Sequence, residues 1–155
     1  MKRILTWLPV LLWMGVIFMM SAMPGEVSGA QSGRVMQLVL GTIALLFGEG
    51  AAASIPMDSL HVLIRKAAHM TEYAILFFLS ARALHQSGAR RPRLAALALC
   101  ACYAATDEGH QAFVGGRGPS IIDVGIDTLG AGLALCIHVL AARISSRISK
   151  QRKRP

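Results

Sequence analysis

The chain has 155 residues, a formal net charge of +8, and a composition that is 54% hydrophobic and only 15% charged. Soluble domains carry about 25% charged residues, so this composition argues against a soluble domain and favours a protein of the lipid bilayer. The positive charge does not indicate nucleic-acid binding, because the basic residues cluster at the ends of apolar runs, which is a pattern of membrane topology. No nucleic-acid partner is therefore expected.

Four apolar runs are each about long enough to cross a bilayer as a helix. The first covers about residues 4–21 and follows Lys2 and Arg3. It shares this basic start with signal peptides, but its apolar core is longer than theirs and Met20 interrupts the small-residue cleavage pattern. The other predicted transmembrane helices cover about residues 65–84, 94–113 and 121–142. The sequence thus predicts an all-α, polytopic membrane protein that forms one domain over residues 1–155.

The segment between the first two predicted spans, residues 22–64, is predicted to be an outer loop. Its stretches PGEVSGAQSG and EGAAASIPMD are rich in turn and loop formers, and Asp58 is expected to cap the helix that follows. Between them, residues 34–48 are apolar but short and interrupted by glycine, which favours a short interfacial or re-entrant helix. A spanning helix is the third arrangement that this stretch allows.

The distribution of basic residues predicts the orientation of the chain. With the N-terminus in the cytoplasm, the loop HQSGARRPR and the basic tail 143–155 also lie there, and twelve of the 16 Lys and Arg residues fall on that side. The reverse orientation would contradict the positive-inside rule. All eight acidic residues then lie on or near the outer side. The expected location is the inner (cytoplasmic) membrane, with several passes and both termini in the cytoplasm.

Polar residues on the last three predicted helices fall at one depth, in the outer third of the membrane. This follows from the helical rise of 1.5 Å per residue, and on each helix the spacing places them on one face. Ionisable side chains inside a membrane cost about 2.5 to 3.5 kcal/mol each, so these stripes should face each other and water. The residues predicted to line this outward-facing pocket are Arg65, Lys66, His69, Glu72, Tyr73, Asp107, Glu108, Gln111, Arg117, Asp123 and Asp127.

These residues resemble a pattern of the VanZ-like family of bacterial membrane proteins. The resemblance is carried by RKAAHMTEYAIL (65–76) and by DEGHQAFVGGRGPSIIDVGIDTLGAGLA (107–134). The joint pattern is R-K-x-x-H-x-x-E-Y, then D-E-x-x-Q-x-F, an arginine, and D-x-x-x-[ND]-x-x-G. The resemblance implies a role in the cell envelope, and the family is named after a protein associated with resistance to teicoplanin. Relatives often have asparagine where this chain has Asp127, which implies that Asp127→Asn is tolerated.

The pocket is predicted to bind a headgroup at the outer leaflet. Arg65, Lys66 and Arg117 would hold an anionic group, and the carboxylates would accept hydrogen bonds from sugar hydroxyls. Tyr73 and Phe113 would stack on a ring. The expected partner is therefore a membrane lipid, a glycolipid, a lipoglycopeptide or a lipid-linked cell-wall precursor.

The alternative function is a membrane enzyme that acts on a lipid-linked or phosphate-containing substrate. His69 with Glu72 or Asp107 would form its acid–base pair, so these three are the candidate catalytic residues. A metal variant would use His69, Glu72, Asp107 and Glu108, but the sequence lacks an H-E-x-x-H motif, and neither a metal nor a cofactor is predicted.

A purely structural role is the third interpretation of the polar residues. Arg65 or Lys66 would pair with Glu72 or Asp107, and Arg117 with Asp123, so that the network only fixes the packing of the helices. The sequence is also compatible with a homo-oligomer.

Overall fold

The computed structural model describes residues 2–152, with side chains over 5–149. This part of the chain is all-helical, with 86% of it in helix and no strands, which confirms the predicted class. The six helices are α1 (Lys2–Ser21), α2 (Gly25–Phe47), α3 (Glu49–Ala53), α4 (Met57–Gln86), α5 (Pro92–Gln111) and α6 (Ile121–Arg152).

Helix α4 is the centre of the bundle, because it packs against α1, α2, α5 and α6. It contributes the large core residues Tyr73, Leu76 and Phe77, all fully buried. The facing helices bring mostly small residues to the core, which lets helix backbones approach closely. These small core residues are Ala96, Cys100 and Ala104 of α5 and Ala131 and Ala134 of α6.

One glycine sets the distance between α4 and α6. A methyl group built at Gly130 would lie 2.7 Å from the Cα of Met70 and would also meet the carbonyl of that residue. A side chain at position 130 would therefore push the two backbones apart, whereas a methyl group at Gly132 would meet nothing within 4 Å. Close packing of these helices depends on Gly130.

The outside of the bundle is apolar. Large apolar side chains are exposed on several helices, for example Leu12 of α1, Leu45 of α2 and Ile137 of α6. Two helices, Gly25–Phe47 and Ile121–Ser149, are by length and composition able to cross a membrane, and Leu5–Ser21 is a shorter apolar helix. Helices α4 and α5 are not in this group, because their polar residues lower their mean hydropathy. Apolar helices of this kind are compatible with a membrane protein.

The structure corrects the expected outer loop. Helix α2 begins at Gly25, so PGEVSGAQSG lies almost wholly inside a 23-residue helix instead of forming turns. Isolated glycine and serine residues each cost a helix less than about 1 kcal/mol, which the rest of the run outweighs. The second expected loop contains α3, and α4 begins after Pro56, so Asp58 lies in its first turn instead of capping it.

The later helices differ from the predicted spans in where they begin or end. Helix α4 starts eight residues before the predicted span at 65, and α5 lies two residues before the predicted 94–113 at both ends. Helix α6 continues through most of the predicted basic tail 143–155, as far as Arg152. Arginine, lysine and isoleucine are compatible with helix, so nothing in this stretch ends α6 at the membrane boundary.

Candidate functional site

Polar residues from three helices and one loop meet at one end of the bundle. A cavity of about 350 Å³ opens there between α4, the loop 112–120 and α6. A smaller cavity of about 150 Å³ lies beside it, toward α1 and α2, and shares Arg65, His69 and Arg117 with the first. Of the predicted pocket residues, those that line one or both cavities are Arg65, Lys66, His69, Glu72, Arg117, Asp123 and Asp127. The buried residues Tyr73, Asp107, Glu108 and Gln111 are not in the lining of either cavity.

An ion pair links α4 to α6 at the rim of the larger cavity. The Lys66 Nζ donates to Oδ1 of Asp123 at 2.7 Å, and both side chains are about one-third exposed. The expected partners of this lysine were Glu72 or Asp107, so the structure corrects that pairing. A partly exposed ion pair contributes at most about 1 kcal/mol, so it orients the two side chains more than it stabilises the fold.

His69 lies beside Asp127. Its Nδ1 is 3.6 Å from Oδ1 of Asp127, a distance within ion-pair range but beyond that of a hydrogen bond. Asp127 is fully buried, and neither of its carboxylate oxygens has a hydrogen-bond partner. The ion-pair partner of His69 is therefore Asp127 and not Glu72 or Asp107, the two expected acid–base partners.

Arg117 brings an unpaired guanidinium to both cavities. Its Nε and Nη1 are buried and have no hydrogen-bond partner, and among the described residues the Asp123 carboxylate pairs with Lys66 and not with Arg117. Burial, followed by the positive charge of Arg65, lowers the pKa of Arg117, yet an arginine stays cationic at neutral pH. Buried donors without partners are costly, and an anionic group in the cavity would satisfy them.

Buried residues of α5 contact the loop that carries Arg117. The Glu108 carboxylate accepts a hydrogen bond from the backbone N–H of Ser120 at 2.8 Å, and this contact ties the Arg117 loop to α5. The Gln111 side chain donates to Oδ2 of Asp107 at 3.3 Å. The other Asp107 oxygen is buried without a partner, as is the hydroxyl of Tyr73. The fold therefore leaves part of the hydrogen-bonding capacity of the Asp107 carboxylate and of the Tyr73 hydroxyl unused.

The two aromatic residues expected to stack on a ligand ring are not in the cavities. Phe113 is 88% exposed, and Tyr73 is fully buried. Tyr73 instead packs near Tyr103, with ring centroids 6.3 Å apart. Neither ring lines a cavity, and stacking of either ring on a ligand stays a prediction.

Helix α2 contributes residues that the sequence analysis missed. Ser28, Gln31 and Ser32 line the smaller cavity together with Ser21 of α1. The start of α2 is held by a hydrogen bond from the N–H of Gly25 to Gly115 O at 3.2 Å. Ser28, Gln31 and Ser32 are three and four residues apart, so they lie on one face of a helix. In the sequence, this spacing indicates a polar helix face if the stretch is read as a helix.

The geometry does not support the metal variant. Within residues 2–152, no three His, Cys, Asp or Glu side chains are grouped so that they could hold a metal ion. The set His69, Glu72, Asp107 and Glu108 is therefore not arranged as a metal site in this structure. His69 lies in the cavity lining and Glu108 binds the loop backbone.

Comparison with known families gave one match. A family model described as VanZ/LLP1 matches residues 6–142, which include α1 to α5 and most of α6. No curated protein and no solved structure matches the chain.

Proposed function

The chain belongs to the VanZ/LLP1 family, and from this membership and the site geometry we propose that it binds the headgroup of an envelope lipid. The observation that carries this proposal is the unpaired Arg117 guanidinium beside Arg65 and Lys66, in a cavity of about 350 Å³. A phosphate bound there would accept hydrogen bonds from Nε and Nη1 of Arg117. This would satisfy donors that the protein itself leaves unpaired.

The acidic residues select for hydroxyl groups beside the anion. Asp127 and Asp123 line the same cavity as the cationic residues. A carboxylate accepts hydrogen bonds from sugar hydroxyls and repels a second phosphate. The ligand class with both features is a glycolipid or a lipid-linked cell-wall precursor. A lipid-tailed glycopeptide such as teicoplanin offers sugars and a lipid tail, which connects the site to glycopeptide resistance.

The proposed membrane arrangement has four crossings, by α1, α4, α5 and α6, with the site at the outer end. Helix α2 starts beside Gly115, and His61 of α4 lies 3.2 Å from the carbonyl of Gly29. The segment that contains α2 and α3 therefore begins and ends at the same end of the bundle. Since α3 has five residues and is too short to cross back, α2 lies at or partly in the outer membrane surface. Both termini are then cytoplasmic.

The binding proposal is tested by native mass spectrometry of the purified protein. Undecaprenyl phosphate and undecaprenol share one chain and differ only in the phosphate, so the wild type should retain the phosphate form preferentially. Arg117→Ala should reduce this retention about tenfold or more, the size of a lost charge-assisted contact. Arg34→Ala removes the same charge from an exposed position of α2 and should retain the lipid normally. Equal retention of both lipids by wild type and Arg117→Ala contradicts the proposal.

A second candidate function is catalysis at the same headgroup, favoured by the approach of His69 to Asp127. A carboxyl group that faces a histidine orients the imidazole ring, as in acid–base catalysis. The test is release of phosphate from undecaprenyl pyrophosphate by purified protein. If the protein is an enzyme, His69→Gln should abolish turnover and leave lipid retention intact. Absence of turnover by the wild type leaves binding as the function.

A further inference from the structure

A cavity of about 690 Å³ lies at the opposite end of the bundle from the proposed site. It opens between the C-terminal half of α4, the start of α5 and the middle of α6. Its walls combine the basic residues Arg82, Arg91 and Arg93 with the apolar Phe78 and Leu94. None of these residues belongs to the site described above, so this cavity needs its own explanation.

The cavity has positive charge without a compensating carboxylate. The eight acidic residues of the chain are Glu26, Glu49, Asp58, Glu72, Asp107, Glu108, Asp123 and Asp127. Between Arg82 and Arg93 there is none, and α6 carries none after Asp127. Within the part of the chain that the structure describes, the side chains of Arg82, Arg91 and Arg93 make no ion pair. Their charge is therefore available to a ligand.

The start of α5 adds to this charge. Arg91 and Arg93 flank Pro92, the first residue of α5, and all three line the cavity. No side chain caps this helix terminus by a hydrogen bond. The first N–H groups of a helix carry partial positive charge and bind anions, most readily where basic side chains stand beside them. The cavity is therefore suited to a group with negative charge.

The apolar wall distinguishes an amphiphile from a free anion. Phe78 is 40% exposed and Leu94 is 54% exposed, so the wall is open to the surroundings of the bundle. From the cavity, the charges and the open apolar wall together, we infer that this site binds an anionic phospholipid. Its phosphate lies against Arg91, Arg93 and the start of α5, and an acyl chain lies along Phe78 and Leu94. Basic pockets between helices at the cytoplasmic side of a membrane bind such lipids.

The inference is tested with phosphatidylglycerol and phosphatidylcholine of identical acyl chains, added to the purified full chain and followed by native mass spectrometry. The wild type should retain phosphatidylglycerol about tenfold more than phosphatidylcholine, given the contribution of each nearby basic residue. The double variant Arg91→Gln/Arg93→Gln should lose this preference. The double variant Arg143→Gln/Arg147→Gln removes the same charge from exposed positions of α6 and should keep it. An equal loss in both variants, or no loss in either, overturns the inference.

Two further measurements separate the remaining possibilities. Inorganic phosphate added in excess should not displace the lipid, because the acyl chain contributes to binding. Displacement by phosphate alone would show a site for a free anion and would overturn the inference. If the pocket variant does not fold, photoactivatable phosphatidylglycerol on the wild type should crosslink within residues 78–94 or at His138, and crosslinks only elsewhere refute the inference. Arg91→Gln/Arg93→Gln should still retain undecaprenyl phosphate in preference to undecaprenol, because neither arginine lines the cavities of the proposed site, so failure of the proposed function and failure of this inference are distinguishable.

Discussion

At the scale of single residues, Asp127 is held at a cost to stability. It is fully buried, both of its carboxylate oxygens lack hydrogen-bond partners, and His69 is 3.6 Å away. A buried carboxylate without full compensation destabilises a fold. Such a residue is typical of functional sites, where local rules are broken for the sake of a ligand or a reaction.

Asp127→Asn should therefore leave the melting temperature in detergent unchanged or raise it, by about 2–4 °C if about 1 kcal/mol is recovered. The amide has nearly the same shape and adds no charge to the buried position. Asp123→Asn, which removes the rim ion pair with Lys66, is the control and should lower the melting temperature slightly. A lower melting temperature for Asp127→Asn than for Asp123→Asn would contradict this argument.

The same substitution has a functional expectation. Asp127→Asn should retain undecaprenyl phosphate better than Asp107→Asn or Glu72→Gln, because the family pattern accepts asparagine at position 127. The measurement is lipid retention by native mass spectrometry on all three variants. Equal loss in the three would show that the charge of Asp127 matters as much as that of the other two.

At the scale of helices, α2 is the element that is packed least. It has no buried residue, yet its Ser28, Gln31 and Ser32 line the smaller cavity of the site. Its N-terminus approaches the Arg117 loop so closely that a methyl group at Gly25 would lie 2.5 Å from Gly116 O. An element held by few contacts moves more easily than one in the core. Helix α2 therefore covers the smaller cavity loosely, and its position depends on the contact between Gly25 and Gly116.

Gly25→Ala should therefore weaken lipid retention severalfold and change the melting temperature little. Overpacking costs about 1–3 kcal/mol, and displacement of the weakly held α2 relieves it without disturbing the core. Gly33→Ala is the matched control, since a methyl group there meets nothing within 4 Å. Equal retention by both variants would show that the contact does not position α2.

Gly130→Ala should affect the bundle itself. The added methyl group meets the backbone of Met70, which cannot move without separating α4 from α6, so unfolding should become easier by about 1–3 kcal/mol. Gly132→Ala should leave thermal unfolding in detergent nearly unchanged. A similar melting temperature for the two variants would be inconsistent with the close approach.

At the scale of the whole molecule, the two ends of the bundle differ in charge. The end with the site carries both signs, whereas the other end has arginines around a cavity without carboxylates. This asymmetry predicts that the arginine-rich end faces the cytoplasm. The exposed apolar surface between the two ends then lies in the bilayer.

This orientation is tested with an impermeant thiol reagent on intact cells, after replacement of Cys100, Cys102 and Cys136 by alanine. A cysteine at Gly118 should be labelled, and one at Ala89 should be labelled only after the cells are opened. A cysteine at Ala53 in α3 should behave like the one at Gly118, because α2 and α3 return to the end where they began. Labelling of position 89 but not 118 would reverse the topology, and protection of position 53 would show that α2 crosses the membrane.

The amino-acid sequence by itself determined the all-α class and the convergence of polar residues at one end. Periodicity and the rise per residue place Arg65, His69, Asp107 and Asp127 at one depth, and the cost of exposing charge to lipid turns them inward. Only the tertiary structure decided the partners, because these depend on which faces of α4, α6 and the loop 112–120 are turned toward each other. For that reason His69 faces Asp127, Lys66 pairs with Asp123, and Nε and Nη1 of Arg117 have no hydrogen-bond partner, while the turns expected at residues 24–33 are part of α2 beside the smaller cavity.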